Sequence, residues 1–363
     1  MILYITRKFH PSVGGMQRFN FKLTTNLRLL TEVCLIKWGG EQWFLPFFFV
    51  SAFFRALFAA ATQKITCIYV SDGVLSPLGL VLKWILRKPA VVNIHGRDIA
   101  FDMKLYQAVI PWCLRRIDKV ICVSGHLKEE CVKRGVAANR LHVIPNGVDV
   151  QDFDIAVQPE HKDRLEALMG APIAGRKIIV TVGRLVAKKG ADSFIMNILP
   201  HLKKIYPDFI YLLVGDGPLE EKIKTLVKEG SWENTVYPIG PVSMDGGMLP
   251  VIYKMAHVFA MPNVRVHGDM EGFGIVAIEA GASGLPVVAT RVDGITEAVK
   301  DGENGFLVEE KDYDSFAQKL AQLLRDEPAR QAAGERAEKF VEKNYSWREI
   351  AKRYLEQFEA AAK

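Results

Sequence analysis

Twelve short, nearly unbroken apolar runs constrain this chain more than any other feature, and they come in two sets. Residues 2–6, 33–36, 67–70, 90–95, 120–123 and 141–144 make the first set; residues 177–182, 209–214, 235–238, 258–261, 287–289 and 305–308 make the second. A run that is apolar throughout marks a strand covered on both faces. Helical patterns lie between the runs, as over residues 78–86 and 126–134. Strands that alternate with helices give βαβ units and a parallel sheet. The restart at residue 177 predicts two such units, and 363 residues fill two domains comfortably. The expected class is therefore α/β, with two Rossmann-like, doubly wound domains whose strand C-termini face a central cleft.

The N-terminal domain is expected over residues 1–165 and the C-terminal domain over residues 176–345. A polar stretch with two prolines, residues 158–175, is expected to hold the hinge between them. The last stretch, residues 345–362, carries an amphipathic helical pattern opened by Ser346.

Composition narrows the class. Apolar residues make up 49% of the chain and charged residues 24%, which excludes a disordered or fibrous protein. The five cysteines, Cys34, Cys67, Cys113, Cys122 and Cys131, are odd in number and include no C-x-x-C pair. That argues against a disulfide framework and a zinc site, and for reduced, mostly buried thiols in a cytoplasmic protein. The first apolar run is followed at once by Arg7, Lys8 and Pro11, too soon for a secretory signal, and reads as a buried strand.

Charge is unevenly spread. Residues 1–150 hold 20 Lys/Arg against 9 Asp/Glu, a balance of +11, while the remainder is at −5. A basic N-terminal half suits an anionic membrane surface or a phosphorylated substrate, or is simply a solvated basic surface. No nucleic-acid-binding motif accompanies it, so nucleic acid is not expected as a partner. Residues 43–61 carry a single charge, Arg55, and seven phenylalanines (Phe44, Phe47, Phe48, Phe49, Phe53, Phe54 and Phe58). Their length is that of a membrane span, yet strands flank them on both sides. They read first as a crossover helix between the second and third strands. The phenylalanine excess supports interfacial membrane contact as a second reading.

Four elements carry chemistry. In Glu271-Gly-Phe-Gly-Ile-Val-Ala-Ile-Glu279, two carboxylates stand eight positions apart around a glycine-rich turn. A helix beginning near Gly274 would aim free N–H groups at an anion such as a diphosphate. Gly272 and Gly274 would allow close approach of backbone and ligand; an acidic helix start with a surface glutamate accounts for the same spacing. Val182-Gly-Arg-Leu-Val-Ala-Lys-Lys-Gly190 directly follows a strand. It sets Arg184 and Lys189 at a strand C-terminus, a suitable pair for a leaving diphosphate. Gly14-Gly15 sits between the first strand and a helix, where backbone meets ligand, but lacks a full G-x-G-x-x-G. Asn93-Ile-His95-Gly-Arg97-Asp98 brings a histidine to another strand end, and Asn146-Gly147 reads as a turn.

Taken together, these elements resemble the family 4 glycosyltransferases of the GT-B fold over essentially the whole chain. The matching residues are Gly14-Gly15, Ile94-His95-Gly96, Val123-Ser124, Pro145-Asn146-Gly147-Val148-Asp149, Gly183-Arg184 with Lys189, Gly215-Asp216-Gly217-Pro218, and Glu271 through Glu279 with Gly284-Leu285-Pro286. Residues 261–279, with Arg265 and Asp269, are similar to bacterial mannosyltransferases acting on phosphatidylinositol-type lipids. Lys188 departs from the acidic residue the family often has before the lysine.

The resemblance implies a retaining, metal-independent hexosyltransferase that uses GDP-mannose or a UDP-hexose as substrate, with no separate cofactor. The acceptor would be a glycan or a lipid-linked sugar in cell-envelope polysaccharide or glycolipid synthesis, at the inner face of the cell membrane. Arg184 and Lys189 would bind the diphosphate and Glu279 the ribose. Glu271 and the amides of Gly272, Phe273, Gly274 and Ile275 would hold the sugar. His95 would reach the sugar from the N-terminal domain, making His95 and Glu271 the catalytic pair. Gly15 would join the donor site, with Gly14 and Arg265 near the acceptor or the phosphates. The closing helix, residues 346–363, would pack back onto the N-terminal domain. Attack on the same face as the leaving phosphate is implied, through an oxocarbenium-like transition state. A sugar-nucleotide epimerase of the same fold would lack this combination of motifs. A non-catalytic nucleotide-sugar-binding subunit would not need His95, Arg184, Lys189, Glu271 and Glu279 together.

Overall fold

The computed structural model describes the whole chain except residues 10–13, 41, 102, 245 and 246 and the side chains of Gln42 and Arg97. The chain divides into two compact units. The first comprises Met1–Gly147, Gly268–Phe273 and Trp347–Lys363; the second comprises Val148–His267 and Gly274–Ser346. The division after Gly147 precedes the expected boundary at residue 165. The stretch 158–175, expected to hold the hinge, instead carries an 11-residue helix, Pro159–Met169, in the second unit. Its start is well signalled: proline opens the first turn, and Gln158 and His161 exchange side-chain and backbone hydrogen bonds as a capping box. Polarity there marks a solvated helix face.

All twelve apolar runs are strands. The first unit holds β1 (Ile2–Thr6), β2 (Val33–Lys37), β3 (Cys67–Val70), β4 (Ala90–Ile94), β5 (Lys119–Cys122) and β6 (Leu141–Val143), paired in the order β2-β1-β3-β4-β5-β6. The second holds β7 (Lys177–Val182), β8 (Phe209–Val214), β9 (Val236–Pro238), β10 (Val258–Met261), β11 (Val287–Thr290) and β12 (Phe306–Val308), in the order β12-β11-β10-β7-β8-β9. Every pairing is parallel, as in Ile2 opposite both Val33 and Cys67. Each sheet is doubly wound, reversing direction between β1 and β3 in one unit and between β7 and β10 in the other. At such a switch point the loops leaving the strand C-termini diverge and open a crevice for ligand.

Six helices flank the sites or close the first core: α1 (Gly15–Arg28), α2 (Leu45–Thr62), α3 (Ser76–Leu86), α4 (Lys104–Leu114), α5 (Ile275–Ala282) and α6 (Trp347–Ala362). Helix α6 starts one residue after Ser346 and belongs to the first unit. Its Trp347, Tyr354 and Phe358 are buried with Tyr4, Phe19, Leu23 and Tyr69 in that unit's core. Complete burial of one such side chain is worth about 1.5–3 kcal/mol. Gly147, read from sequence as part of a turn, has a packing role: a Cβ there would collide with the Trp347 indole. The second core centres on Phe194 stacked on Tyr211, ring centroids 4.0 Å apart, with Phe209 and Phe316.

Helix α2 is the crossover between β2 and β3. Phe48, Ala52, Ala56 and Ala59 form its buried stripe. Its outer face stays apolar, with Phe47, Phe54 and Phe58 63–71% exposed. Helix α3 packs against both α2 and α4, and it exposes Trp84 and Ile85 while α4 exposes Leu105 and Trp112. Trp84 and Trp112 meet edge to face at 6.4 Å, and Arg116 lies 4.1 Å over the Trp112 ring.

Candidate functional site

In the first unit, chemistry gathers at the C-terminal ends of β1, β3 and β4. Asp98, on the short helical turn Arg97–Ala100, organises the loops. Its carboxylate accepts from the backbone N–H of His95 (2.9 Å), Gly96 (2.8 Å) and Gly73 (3.1 Å). Asp72, after β3, is fully buried, and Arg7 Nε lies 3.1 Å from its Oδ1 and 3.0 Å from its Oδ2. Only the Oδ1 contact has hydrogen-bond geometry; the Oδ2 contact is Coulombic. Burial pushes the Asp72 carboxyl above the usual range, Arg7 opposes the shift, and Asp98 adds to it.

His95 is half-buried at the end of β4. Its Nε2 is 3.0 Å from the Ser71 carbonyl oxygen and 2.8 Å from the Asn93 side-chain amide, and Phe19 packs edge-on against the ring at 4.7 Å. The segment Gly268–Phe273, containing Glu271, groups with this unit. Gly272 lies so close to the His95 backbone that a Cβ would collide with its carbonyl oxygen. His95, Glu271 and Gly272 are therefore brought into one neighbourhood.

In the second unit the edge is built from backbone. Gly183 N–H donates to the Val214 carbonyl and Leu185 N–H to the Asp216 carbonyl. The loop after β7 thereby lies flat on Gly215-Asp216-Gly217-Pro218. A side chain at Gly215 would strike the Gly183 carbonyl, and one at Gly190 would strike the Pro262 carbonyl, each with φ in the left-handed range. Arg184 is exposed on this loop and Lys189 is half-buried. After β10, Gly274 (φ 91°) caps α5, and a Cβ there would press on the Met261 methyl. Phe273 is buried, and Ile275 opens the helix. Glu279, in the second turn, is buried and accepts a 3.3 Å hydrogen bond from the Tyr253 hydroxyl. A surface glutamate is thereby replaced by a held, inward carboxylate.

Gly14 caps α1 (φ 152°) and Gly15 is its first residue, both exposed at the end of β1's loop. Arg265 is paired with Glu310 through its guanidinium at 3.1 Å and its backbone N–H at 2.8 Å. Its charge is thus partly engaged. The Val123-Ser124 element is a helix cap, the Ser124 hydroxyl accepting from Leu127 N–H. Sequence reasoning missed Arg7, Ser71, Asp72 and Asp98 as parts of the site. Asp98 alone left a signal, an acid three residues after His95 at the start of a helical turn.

Comparison with known proteins supports the family resemblance drawn from the sequence. Residues 170–340 match the group 1 glycosyl transferases and residues 16–152 match glycosyltransferase family 4. A GDP-mannose-dependent alpha-(1-6)-phosphatidylinositol monomannoside mannosyltransferase of Mycolicibacterium smegmatis is 33% identical over 295 residues, covering 78% of this chain and 74% of that one. Among solved structures, Anabaena HepE in complex with UDP superposes with a TM-score of 0.77 at 19% identity, over 99% of both chains. The catalytic domain of Arabidopsis thaliana starch synthase IV, bound to ADP and acarbose, gives 0.79 at 15% identity, again over 99% of both. The chain belongs to the group 1/family 4 glycosyltransferases, and its fold is GT-B.

Proposed function

We propose that this glycosyltransferase moves a hexose from a nucleoside-diphosphate sugar to a lipid-linked or glycan acceptor, with retention of anomeric configuration. The observation that carries the reading is the loop after β7, which holds Arg184 and Lys189 at the strand that opens the second unit's switch point. Arg184 and Lys189 would stabilise the diphosphate as it departs, so turnover would need no metal. Glu279 would accept from the ribose hydroxyls. Glu271 with the amides from Gly272 to Ile275 would position the sugar, and His95 would bond one of its hydroxyls. Gly15 would let the first unit's backbone approach the donor, with Gly14 and Arg265 nearer the acceptor or the phosphates. GDP-mannose is the favoured donor because the mycobacterial relative uses it; a UDP-hexose is the second reading, since HepE binds UDP.

Purified enzyme should release GDP from GDP-mannose only when vesicles containing phosphatidylinositol or its mannoside are added. The product should keep the donor's α configuration, and chelator should leave the rate unchanged. Conversion of the donor without acceptor would favour an epimerase instead.

The acceptor is proposed to be met at an anionic membrane surface, on the inner face of the cell membrane. The exposed apolar outer face of α2, α3 and α4 supports this, together with Arg55, Arg87, Lys88 and Lys104 around it. Apolar rings can sink into the headgroup boundary while each basic residue adds about 1 kcal/mol near an anionic leaflet. Phe54→Ser with Phe58→Ser should reduce co-sedimentation with anionic vesicles several-fold without lowering the melting temperature. Phe48 is unsuitable for that test because it faces the core. A wild type that ignores such vesicles at low salt would point to a soluble acceptor.

A further inference from the structure

The histidine at the end of β4 is wired to the closing helix. Tyr354, in the middle of α6, is fully buried, and as the amide is placed its hydroxyl donates to Asn93 Oδ1 at 3.1 Å. Asn93 is fully buried on β4, and its Nδ2 is placed 2.8 Å from His95 Nε2. The Ser71 carbonyl oxygen lies 3.0 Å from that same nitrogen. All four residues belong to the first unit.

These contacts decide which ring nitrogen holds the proton. A carbonyl oxygen can only accept, so at 3.0 Å the nitrogen facing Ser71 must donate. An unprotonated Nε2 would set two lone pairs against each other there. With Nε2 protonated, the Asn93 amide is turned over from that placement, so that its oxygen lies beside Nε2 and shares the hydrogen. The NH2 end then donates to the Tyr354 hydroxyl. The oxygen and nitrogen of an asparagine amide are distinguished only by such a network, and this assignment relieves the Ser71 carbonyl while keeping Asn93 bonded on both sides. The opposite assignment keeps Asn93 and Tyr354 bonded but leaves the Ser71 carbonyl repelled. Nδ1 has no partner among the described residues and is not enclosed as a buried unpaired atom.

We infer that Tyr354 and Asn93 are positioning residues that lock His95 as the Nε2–H tautomer, leaving Nδ1 as a fixed hydrogen-bond acceptor for a hydroxyl of the transferred sugar. The sugar's part in this rests on the function proposed above; the tautomer does not. The lock has two effects. It fixes the ring plane, which Phe19 also clamps, and it makes the histidine select a donor hydroxyl over an acceptor oxygen at that point.

The test uses the full chain with ¹⁵N-labelled histidine, and His95→Gln identifies the His95 signals by their loss. In wild type the unprotonated nitrogen should be Nδ1. Tyr354→Phe removes one oxygen from a core that keeps its ring. It should blur the tautomer preference and lower kcat about three- to tenfold, the equivalent of one neutral hydrogen bond. Asn93→Ala should do the same with a kcat loss of about tenfold or more. Dissociation constants for free GDP or UDP should change less than about twofold in both, because the cations proposed to hold the diphosphate stand on the second unit. Unprotonated Nε2 in wild type would overturn the inference. So would wild-type tautomer and wild-type kcat in both variants. If no sugar nucleotide supports transfer, the function proposed above fails, while the nitrogen spectra still decide the lock.

Discussion

The two units share one architecture, a doubly wound parallel sheet of six strands, and finish their strand C-termini in opposite ways. The first builds its edge from side chains: Asp98 gathers three backbone N–H groups, Asp72 holds Arg7, and Asn93 holds His95. The second builds its edge from glycine, with Gly190, Gly215 and Gly217 letting backbone lie on backbone. Its charged groups, Arg184 and Lys189, stand at the rim of that scaffold, outside its core. The difference teaches where function can be separated from stability. A side-chain network loses geometry when any member is cut. A glycine scaffold tolerates loss of its rim charges and tolerates almost nothing at its glycines.

Mutations should expose this contrast, and the largest effect belongs to the glycine scaffold. Gly190→Ala places a Cβ against the Pro262 carbonyl at a left-handed φ of 68° and should cost about 3–4 kcal/mol. Urea unfolding monitored in the second unit would show it; a shift below about 1 kcal/mol would mean the loop can move aside. Next comes the side-chain network. Asp98→Ala strands the N–H groups of His95, Gly96 and Gly73, for a loss of about 2–3 kcal/mol in the first unit, and Asp98→Asn should recover part of it. Equal stability of the two variants would show that the carboxylate is not the organiser.

Rim charges should behave differently from both. Arg184→Ala and Lys189→Ala should each weaken nucleoside-diphosphate binding by about 1.5–3 kcal/mol, measured by calorimetry. Their melting temperatures should stay near wild type. Unfolding of either variant would erase the distinction drawn between scaffold and rim.

The smallest effect lies at the opposite edge of the second sheet. His257 Nδ1 accepts from Ile178 N–H, and burial, followed by Lys177 and Arg330, pushes the ring down to about 4. Its folded value lies below the unfolded one near 6.5, so the folded state resists taking up the proton. Stability is then complete above about 6.5 and falls as pH drops towards 4. Discounted for partial exposure, the loss is on the order of 1 kcal/mol. It should appear in the second unit alone, and His257→Gln should flatten it; a matching loss in the first unit would show that the two titrate together.

The fold was legible because continuous apolar runs such as Phe209–Val214 and Ala90–Ile94 have few alternatives in a chain of this length. The second unit's glycine-built loops were equally legible, since glycines needed for close backbone approach are fixed in local sequence. The first unit's site was not. Arg7 meets Asp72 across 65 positions, and Asp98 reaches Gly73 on another loop besides His95 and Gly96 on its own. No local pattern records such a pairing. Gly147 shows the same limit: its local sequence says turn, and its reason is Trp347, far along the chain. The helix Pro159–Met169 is a different case, for its proline and capping box were present and the polar composition masked them.

Helix α6 has a consequence for how the protein is made. The first unit's core stays open until Trp347, Tyr354 and Phe358 arrive. Between Gly147 and Trp347 the ribosome must deliver about 200 further residues, which takes roughly 10–40 s at about 5–20 residues per second. The unit translated first is therefore the one completed last. Over that interval β1 to β6 wait with one apolar face uncovered. A nascent chain stalled before residue 347 should therefore hold a finished second unit behind an unfinished first one, with that bare face available to chaperones.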